Sequence, residues 1–224
     1  MQATRTPRVK ICCIASVDEA ALAVQCGASA LGLVSHMPSG PGVISDERIA
    51  EIAATVPPAI GTFLLTSRQR VADIVEQQRF CRTNTIQICD HLAFGTHRDL
   101  KDALPGISIV QVIHVTGPES VEQAAQVAPH VDAILLDSGN QKLAVKVLGG
   151  TGRTHDWSLS RTIRERIGIP LFLAGGLTPE NVGQAMEGVG PFGLDVCSGV
   201  RTDGRLDATK LKRFFSAVRD AGAQ

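Results

Sequence analysis

Neither sign of charge is in excess in this chain. Lys and Arg together number 22, and so do Asp and Glu, which excludes a globally basic nucleic-acid surface or a basic membrane face. An anionic ligand must therefore be met by a local site. No apolar run approaches membrane-spanning length, and the opening MQATRTPRVK lacks the apolar core of a signal peptide, so neither insertion nor export is expected. No C-x-x-C pair occurs among the six cysteines, at 12, 13, 26, 81, 89 and 197. Several lie in apolar, strand-like runs, which points to buried free thiols in a reducing cytoplasm rather than disulfides or zinc. His36, His91, His97, His114, His130 and His155 show no metal-ligand spacing. Each reads as a loop or core residue, with His114 placed to reach a pocket from the fifth strand. No linker, charge block, low-complexity segment or internal repeat interrupts the 224 residues, so residues 1–224 are expected to form a single domain.

What is present is a regular alternation. Apolar, β-branched runs occur at Val9–Ile14, Ala30–Ser35, Ile60–Leu65, Thr85–Cys89, Ser108–Val115, Val131–Asp137, Ile169–Ala174 and Phe192–Cys197. Amphipathic stretches of helical period separate them, among them Val17–Cys26, Asp46–Thr55, Val71–Phe80, Ser120–Ala128, Leu159–Ile167 and Pro179–Met186, with a weaker one at Thr96–Leu104. Ala208–Val218 closes the chain. Ser16, Asp46 and Thr178 are placed to cap helices, with Pro179 at a first helical position. Strands spaced by helices imply parallel βαβ units. Eight of them imply a closed (β/α)8 TIM barrel, with an open doubly wound sheet as the alternative.

The sixth run ends on a carboxylate, Asp137, and about twenty residues pass before the next helical pattern at Leu159. A loop that long in a compact domain is usually a lid or a binding loop. On a barrel, catalytic groups sit at the C-terminal strand ends, and phosphate commonly sits in the loops after strands seven and eight. Gly150, Thr151 and Gly152 lie in the long loop, Gly175 and Gly176 after the seventh run, and Ser198 and Gly199 after the eighth. Glycine lets backbone N–H groups close on an anion, so the three loops together point to a phosphate site. On the first strand, alternation puts Lys10, Cys12 and Ile14 on one face and Cys13 on the helix-facing side. Cys12 is then either a pocket thiol or a buried structural cysteine. Lys10 would lie inside the barrel, where an unpaired charge is costly. Asp195 on the neighbouring eighth strand is its natural partner.

These residues resemble the phosphoribosylanthranilate isomerase family of tryptophan biosynthesis. The resemblance runs from Val9 to Phe215 and is carried by Val9-Lys10-Ile11-Cys12, Leu136-Asp137, Gly149-Gly150-Thr151-Gly152-Arg153 with Asp156-Trp157, Ala174-Gly175-Gly176-Leu177 with Pro179, Asn181 and Val182, and Asp195-Val196 with Ser198-Gly199-Val200. It implies an Amadori rearrangement of a phosphorylated sugar amine without metal or organic cofactor, Asp137 as general acid and Cys12 as general base. Nucleic acid and membrane partners are not implied, and monomer and homodimer both stay open.

The chain departs from the family's motifs at several points. Cys13 stands where the family usually has Gly, Cys197 where it has Ser, and Arg201 where it often has Glu. Pro38-Ser39-Gly40-Pro41-Gly42 fits a segment whose Arg binds the anthranilate carboxylate, and Gly42 takes the Arg position. Leu64-Leu65-Thr66 and Gln87-Ile88-Cys89-Asp90 replace Phe-Val-Asn and Gln-Leu-His-Gly. Either Arg68 or Arg201 swings in to meet the carboxylate, or the substrate lacks it; the departures on strands three and four favour the latter. A related isomerase for another phosphoribosyl amine, or a barrel that binds a sugar phosphate without turnover, are the competing readings.

Overall fold

The computed structural model describes residues 6–139, 148 and 154–223. Eight parallel strands close into a barrel: β1 (Arg8–Ile11), β2 (Ala30–Val34), β3 (Gly61–Thr66), β4 (Thr85–Ile88), β5 (Ser108–His114), β6 (Ala133–Asp137), β7 (Leu171–Leu173) and β8 (Gly193–Val196). Following them in turn are α1 (Val17–Gln25), α2 (Asp46–Thr55), α3 (Val71–Cys81), α4 (His97–Ala103), α5 (Glu119–Val127), α6 (Trp157–Arg166), α7 (Val182–Val189) and α8 (Ala208–Gly222). The closed ring removes the open-sheet alternative. Among the described residues no helix is long and apolar enough to cross a membrane.

Local chemistry starts most of these helices. Ser16 accepts from the Glu19 N–H at 3.1 Å, and Thr96 with Asp99 makes a reciprocal capping box on α4. Two caps differ from the sequence expectation. Ser45 rather than Asp46 caps α2, leaving Asp46 in the first turn, where a carboxylate suits the helix dipole. Thr178 and Pro179 lie in a turn before α7, which starts at Val182. The Asn181 carboxamide outcompetes the expected start: it accepts from the Thr178 N–H at 2.8 Å and donates to the Gly176 carbonyl at 2.9 Å.

The apolar residues divide into two cores. One lies between strands and helices and includes Ile11, Leu31, Leu64, Ile86, Ile134 and Phe214. The other fills the barrel, with Ala30, Phe63, Leu65, Val110, Val112, Leu135 and Phe172. Phe63 and Phe172 meet edge to face at 5.9 Å, and Phe172 meets Phe192 likewise at 5.6 Å. Gly193 leaves room for this stack, since a Cβ there would come within 2.5 Å of the Phe172 ring.

Above that aromatic floor lies a charge. β1 closes on β8 with Lys10 opposite Asp195. The Lys10 ammonium has no solvent exposure and sits 2.8 Å from an Asp195 carboxylate oxygen. It also lies 5.3 Å from the Phe63 ring centre. Burial works against its charge, but the field of Asp195, and then that of Cys12, outweighs it and holds the ammonium above its ordinary pKa. Removing one partner of such a pair strands the other, at about 3–5 kcal/mol. Lys10→Met is therefore expected to lower unfolding stability by about that amount, and Lys10→Met with Asp195→Leu to recover much of it. Denaturant titration of the two variants checks this. A single variant with an unchanged midpoint would refute it.

Candidate active site

The pocket opens at the C-terminal ends of the strands, lined among others by Cys12, Cys13, Pro41, Gln87, Cys89, Asp137, Leu148, Gly175, Gly176, Asp195, Cys197 and Ser198. Cys12 follows β1, is 7% exposed, and its sulfur lies 3.7 Å from the Lys10 ammonium. Lys10 thus bridges the Asp195 carboxylate and the Cys12 sulfur. Gly32 on β2 makes this possible. A Cβ there would come within 2.9 Å of the Cys12 sulfur and 3.0 Å of the Lys10 nitrogen.

Strand alternation fails immediately after Cys12. Cys13 has φ of 61°, a left-handed backbone that a non-glycine residue adopts at a cost of about 1–2 kcal/mol. The reversal turns the Cys13 side chain into the pocket, not toward the helices, and sends Ile14 to the outer core. Both expectations from simple alternation are therefore corrected, because the strand ends at Ile11. The carbonyls of Cys12 and Cys13 converge on one Arg201 nitrogen, at 3.2 and 2.5 Å. That guanidinium is gripped by both Glu19 oxygens at 3.0 and 3.1 Å. Burial opposes ionisation of Glu19. Hydrogen bonds from Arg201 and from the Leu206 and Ala15 N–H groups nevertheless hold its carboxyl below the ordinary value.

Asp137 ends β6 and is 9% exposed. One carboxylate oxygen accepts from the Ser138 N–H at 2.7 Å. Burial pushes its carboxyl above the ordinary range, with the Ser138 N–H and then His114 partly offsetting this. A pocket carboxyl whose pKa is raised toward the working pH suits a general acid. His114 is buried, and one ring nitrogen pairs with the Cys89 carbonyl at 3.0 Å. Gln87 on β4 is 3% exposed and lines the pocket, and its side-chain oxygen has no partner among the described residues. Such an acceptor is positioned for a substrate hydroxyl. Among the described residues no cluster of His, Cys, Asp or Glu is arranged to hold a metal ion.

After β7, next to β6, Gly175 and Gly176 have φ of 88° and 64°. This left-handed backbone places successive peptide groups on a concave turn, the geometry of an anion nest. Asn181 fixes that turn through its two bonds across it. Ser198–Val200 forms a 3-10 turn beside it, and a Cβ on Gly199 would strike the Leu177 carbonyl. The two loops therefore pack backbone to backbone. Gly150, Thr151 and Gly152 lie outside the described residues.

Gly42 has φ of 78°, and a Cβ there would fall within 2.9 Å of the Cys13 sulfur and 3.0 Å of its Cα. Cys13 and position 42 thus compete for one volume. Arg201 is committed to Glu19 and β1, and Arg68 reaches the Asp73 carbonyl at 3.1 Å and Asp46 at 3.4 Å. Among the described residues that line the pocket, none is Lys or Arg. Gly32, Gln87 and the Glu19–Arg201 clamp escaped sequence reasoning. A glycine and a glutamine inside apolar runs were the available signals for the first two.

A family model of N-(5'-phosphoribosyl)anthranilate isomerase matches residues 9–217. The chain is 34% identical over 215 residues to N-(5'-phosphoribosyl)anthranilate isomerase 2 of Methanosarcina mazei, covering 95% of this chain and 94% of that one. It is 35% identical over 215 residues to the isomerase of Methanothrix thermoacetophila, covering 95% and 98%. Its structure is similar to that of phosphoribosyl anthranilate isomerase from Thermotoga maritima, with a TM-score of 0.80 and 29% identity over 96% of this chain and 99% of that one. A structure of such an isomerase in complex with reduced 1-(o-carboxyphenylamino)-1-deoxyribulose 5-phosphate matches with a TM-score of 0.77 and 28% identity, covering 96% and 99%.

The raised carboxyl of Asp137 has a consequence for stability. A buried acid whose folded pKa exceeds its unfolded value of about 3.9 destabilises the fold once pH rises above that value. Asp137→Asn removes this penalty, so its melting temperature at neutral pH is expected to equal or exceed that of the wild type. At a pH below about 3.9 the advantage should vanish. Thermal melts across pH check it. A variant less stable at neutral than at acidic pH, relative to wild type, would contradict the assignment.

Proposed function

The chain belongs to the N-(5'-phosphoribosyl)anthranilate isomerase family, and we propose that it performs this aldose–ketose isomerisation with Asp137 as acid and Cys12 as base. The observation that carries the reading is that a buried carboxyl from β6, its pKa raised by burial, and a thiol from the end of β1 line one pocket. The phosphate of the substrate seats on the turns of Gly175–Gly176 and Ser198–Gly199, with Gly150, Thr151 and Gly152 of the preceding loop completing the cradle. Asp137 donates its proton to the furanose ring oxygen as the C1–O bond breaks. The nitrogen lone pair forms the C1=N bond, leaving an open-chain iminium. The Cys12 sulfur then takes the C2 proton, and those electrons flow toward nitrogen to give the enolamine. Tautomerisation yields the ketose. Lys10 keeps a positive charge 3.7 Å from the sulfur throughout, and Arg201 fixes the backbone that carries it.

The test is turnover of phosphoribosylanthranilate by the purified protein, together with rescue of a tryptophan-requiring strain. Asp137→Asn is expected to bind substrate yet lose roughly 10²–10⁴-fold in kcat, and Cys12→Ser to fall similarly. If both variants retain wild-type turnover, the acid/base assignment is wrong.

A second reading concerns the carboxylate. None of the described pocket-lining residues carries a positive charge, so either a group outside the described residues meets it, or the substrate lacks it. Gly42→Arg alone would bring its side chain against Cys13. That single variant should lose stability. Cys13→Gly with Gly42→Arg removes the Cβ and sulfur contacts and leaves the left-handed strain at position 42; it should lower KM for phosphoribosylanthranilate by about 10–150-fold, the equivalent of a charged hydrogen bond of about 1.5–3 kcal/mol. Steady-state kinetics on amines with and without the carboxylate decides it. A folded double variant whose KM is unmoved shows that position 42 does not face that group.

A further inference from the structure

Two cysteines that the proposed chemistry does not use meet at the mouth of the barrel. The sulfurs of Cys13 and Cys197 lie 2.9 Å apart. Each stands where the resemblance leads one to expect a smaller or harder residue, Gly and Ser, so two independent departures from the motif converge on one contact. A disulfide bond is about 2.05 Å long, so the gap to close is only about 0.9 Å. We propose that Cys13 and Cys197 are a redox modification site, forming a reversible disulfide that ties the end of β1 to the Ser198–Gly199 turn and slows turnover.

The surroundings assign the two sulfurs different roles. Cys197 is half-buried and borders the pocket, whereas Cys13 is 5% exposed. A hydrogen bond from Cys13 lowers the pKa of the Cys197 thiol, against burial, with Arg201 adding to the effect. The Cys13 thiol is pushed up, by its hydrogen bonds and then by burial. Elsewhere burial pushes Cys81 up to about 12 and also raises Cys89. Cys197, the more exposed sulfur, is therefore the one that attacks the oxidant, and Cys13 the resolving thiol. With a hydroperoxide as oxidant, the Cys197 thiolate attacks the distal oxygen and the O–O bond breaks. With hydrogen peroxide this gives a sulfenic acid and hydroxide. The Cys13 sulfur then displaces the sulfenic oxygen, which leaves as water with the Cys13 proton. Overall two thiols lose two electrons and two protons, and one peroxide becomes two waters.

The consequence follows from position. Cys13 is peptide-bonded to Cys12, and Cys197 to Ser198. Drawing the sulfurs together pulls on the strained left-handed residue beside the proposed base and on the proposed phosphate turn at once. Reacting groups displaced by about 1 Å can lose up to about 100-fold in rate. The crosslink itself does not depend on the proposed function. Its effect on turnover does rest on Cys12 being the base.

The test separates the two. The wild-type protein is exposed to hydrogen peroxide or to diamide, then alkylated and peptide-mapped, with turnover of phosphoribosylanthranilate measured before and after dithiothreitol. The expected result is a Cys13–Cys197 crosslinked peptide, a fall in kcat of about tenfold, and recovery on reduction. Cys197→Ser and, independently, Cys13→Gly should form no such peptide and show no dithiothreitol-reversible component. Oxidation that maps to Cys12 instead, or leaves both thiols alkylatable, would overturn the site. A quantitative crosslink with unchanged turnover would overturn the control while leaving the modification established.

Discussion

The buried ammonium of Lys10 is the constraint on which the site depends. A charge with no solvent exposure must be met within the barrel, and the closing register, with Lys10 opposite Asp195, meets it. That register also decides where β1 ends relative to β8, and so where Cys12 stands relative to the turn at Ser198. The same ammonium touches the Cys12 sulfur. One group therefore closes the ring, forms the polar layer above the phenylalanine stack, and sets the electrostatic surroundings of the proposed base. Stability and chemistry cannot be varied independently here, because the same atom serves both.

Above that layer a second constraint takes over. Left-handed Cys13 would be strained in isolation, and nothing in its own side chain favours that backbone. What holds it is Arg201, one nitrogen of which donates to both carbonyls and to a Glu19 oxygen, while the second Glu19 oxygen accepts from the other terminal nitrogen. Hydrogen bonds of this charge-assisted kind contribute about 1.5–3 kcal/mol, enough to offset one strained residue. Glu19 belongs to α1 and Arg201 follows β8, so the clamp joins the first and last βα units across the seam of the barrel.

Much of this was legible in the sequence, and the boundary has physical reasons. Period-two and period-3.6 patterning places each strand and helix within a few residues, because burial on one face is a property of spacing alone. The pairing of Lys10 with Asp195 was readable because a buried charge requires a partner on a neighbouring strand. The orientation of Cys13 was not readable. Alternation assumes an unbroken strand, and the left-handed turn depends on Arg201, 188 residues away. Gly32 was hidden for the same reason: a glycine in an apolar run states that something approaches closely, without saying that it is Lys10 and Cys12. Thr178 does accept from the Glu180 N–H at 3.2 Å, but α7 starts only at Val182 because the Asn181 carboxamide holds residues 176–181 in a turn.

The departures from the family's motifs look scattered along the chain, yet three of them occupy one corner. Cys13 fills the space that a side chain at position 42 would need, and its sulfur meets that of Cys197. With glycine at 13 the Cβ and sulfur contacts would go, leaving position 42 with its left-handed backbone and a 3.0 Å approach to the residue-13 Cα. With cysteine at 13, only glycine fits at 42. The loss of a cation there is thus coupled by volume to the gain of a thiol, and the thiol in turn is coupled to its partner on the phosphate side. A substitution that reads as the loss of a substrate contact is, in the fold, one part of a repacking. Comparing such positions one at a time misjudges them, because the unit that changed is the contact and not the residue.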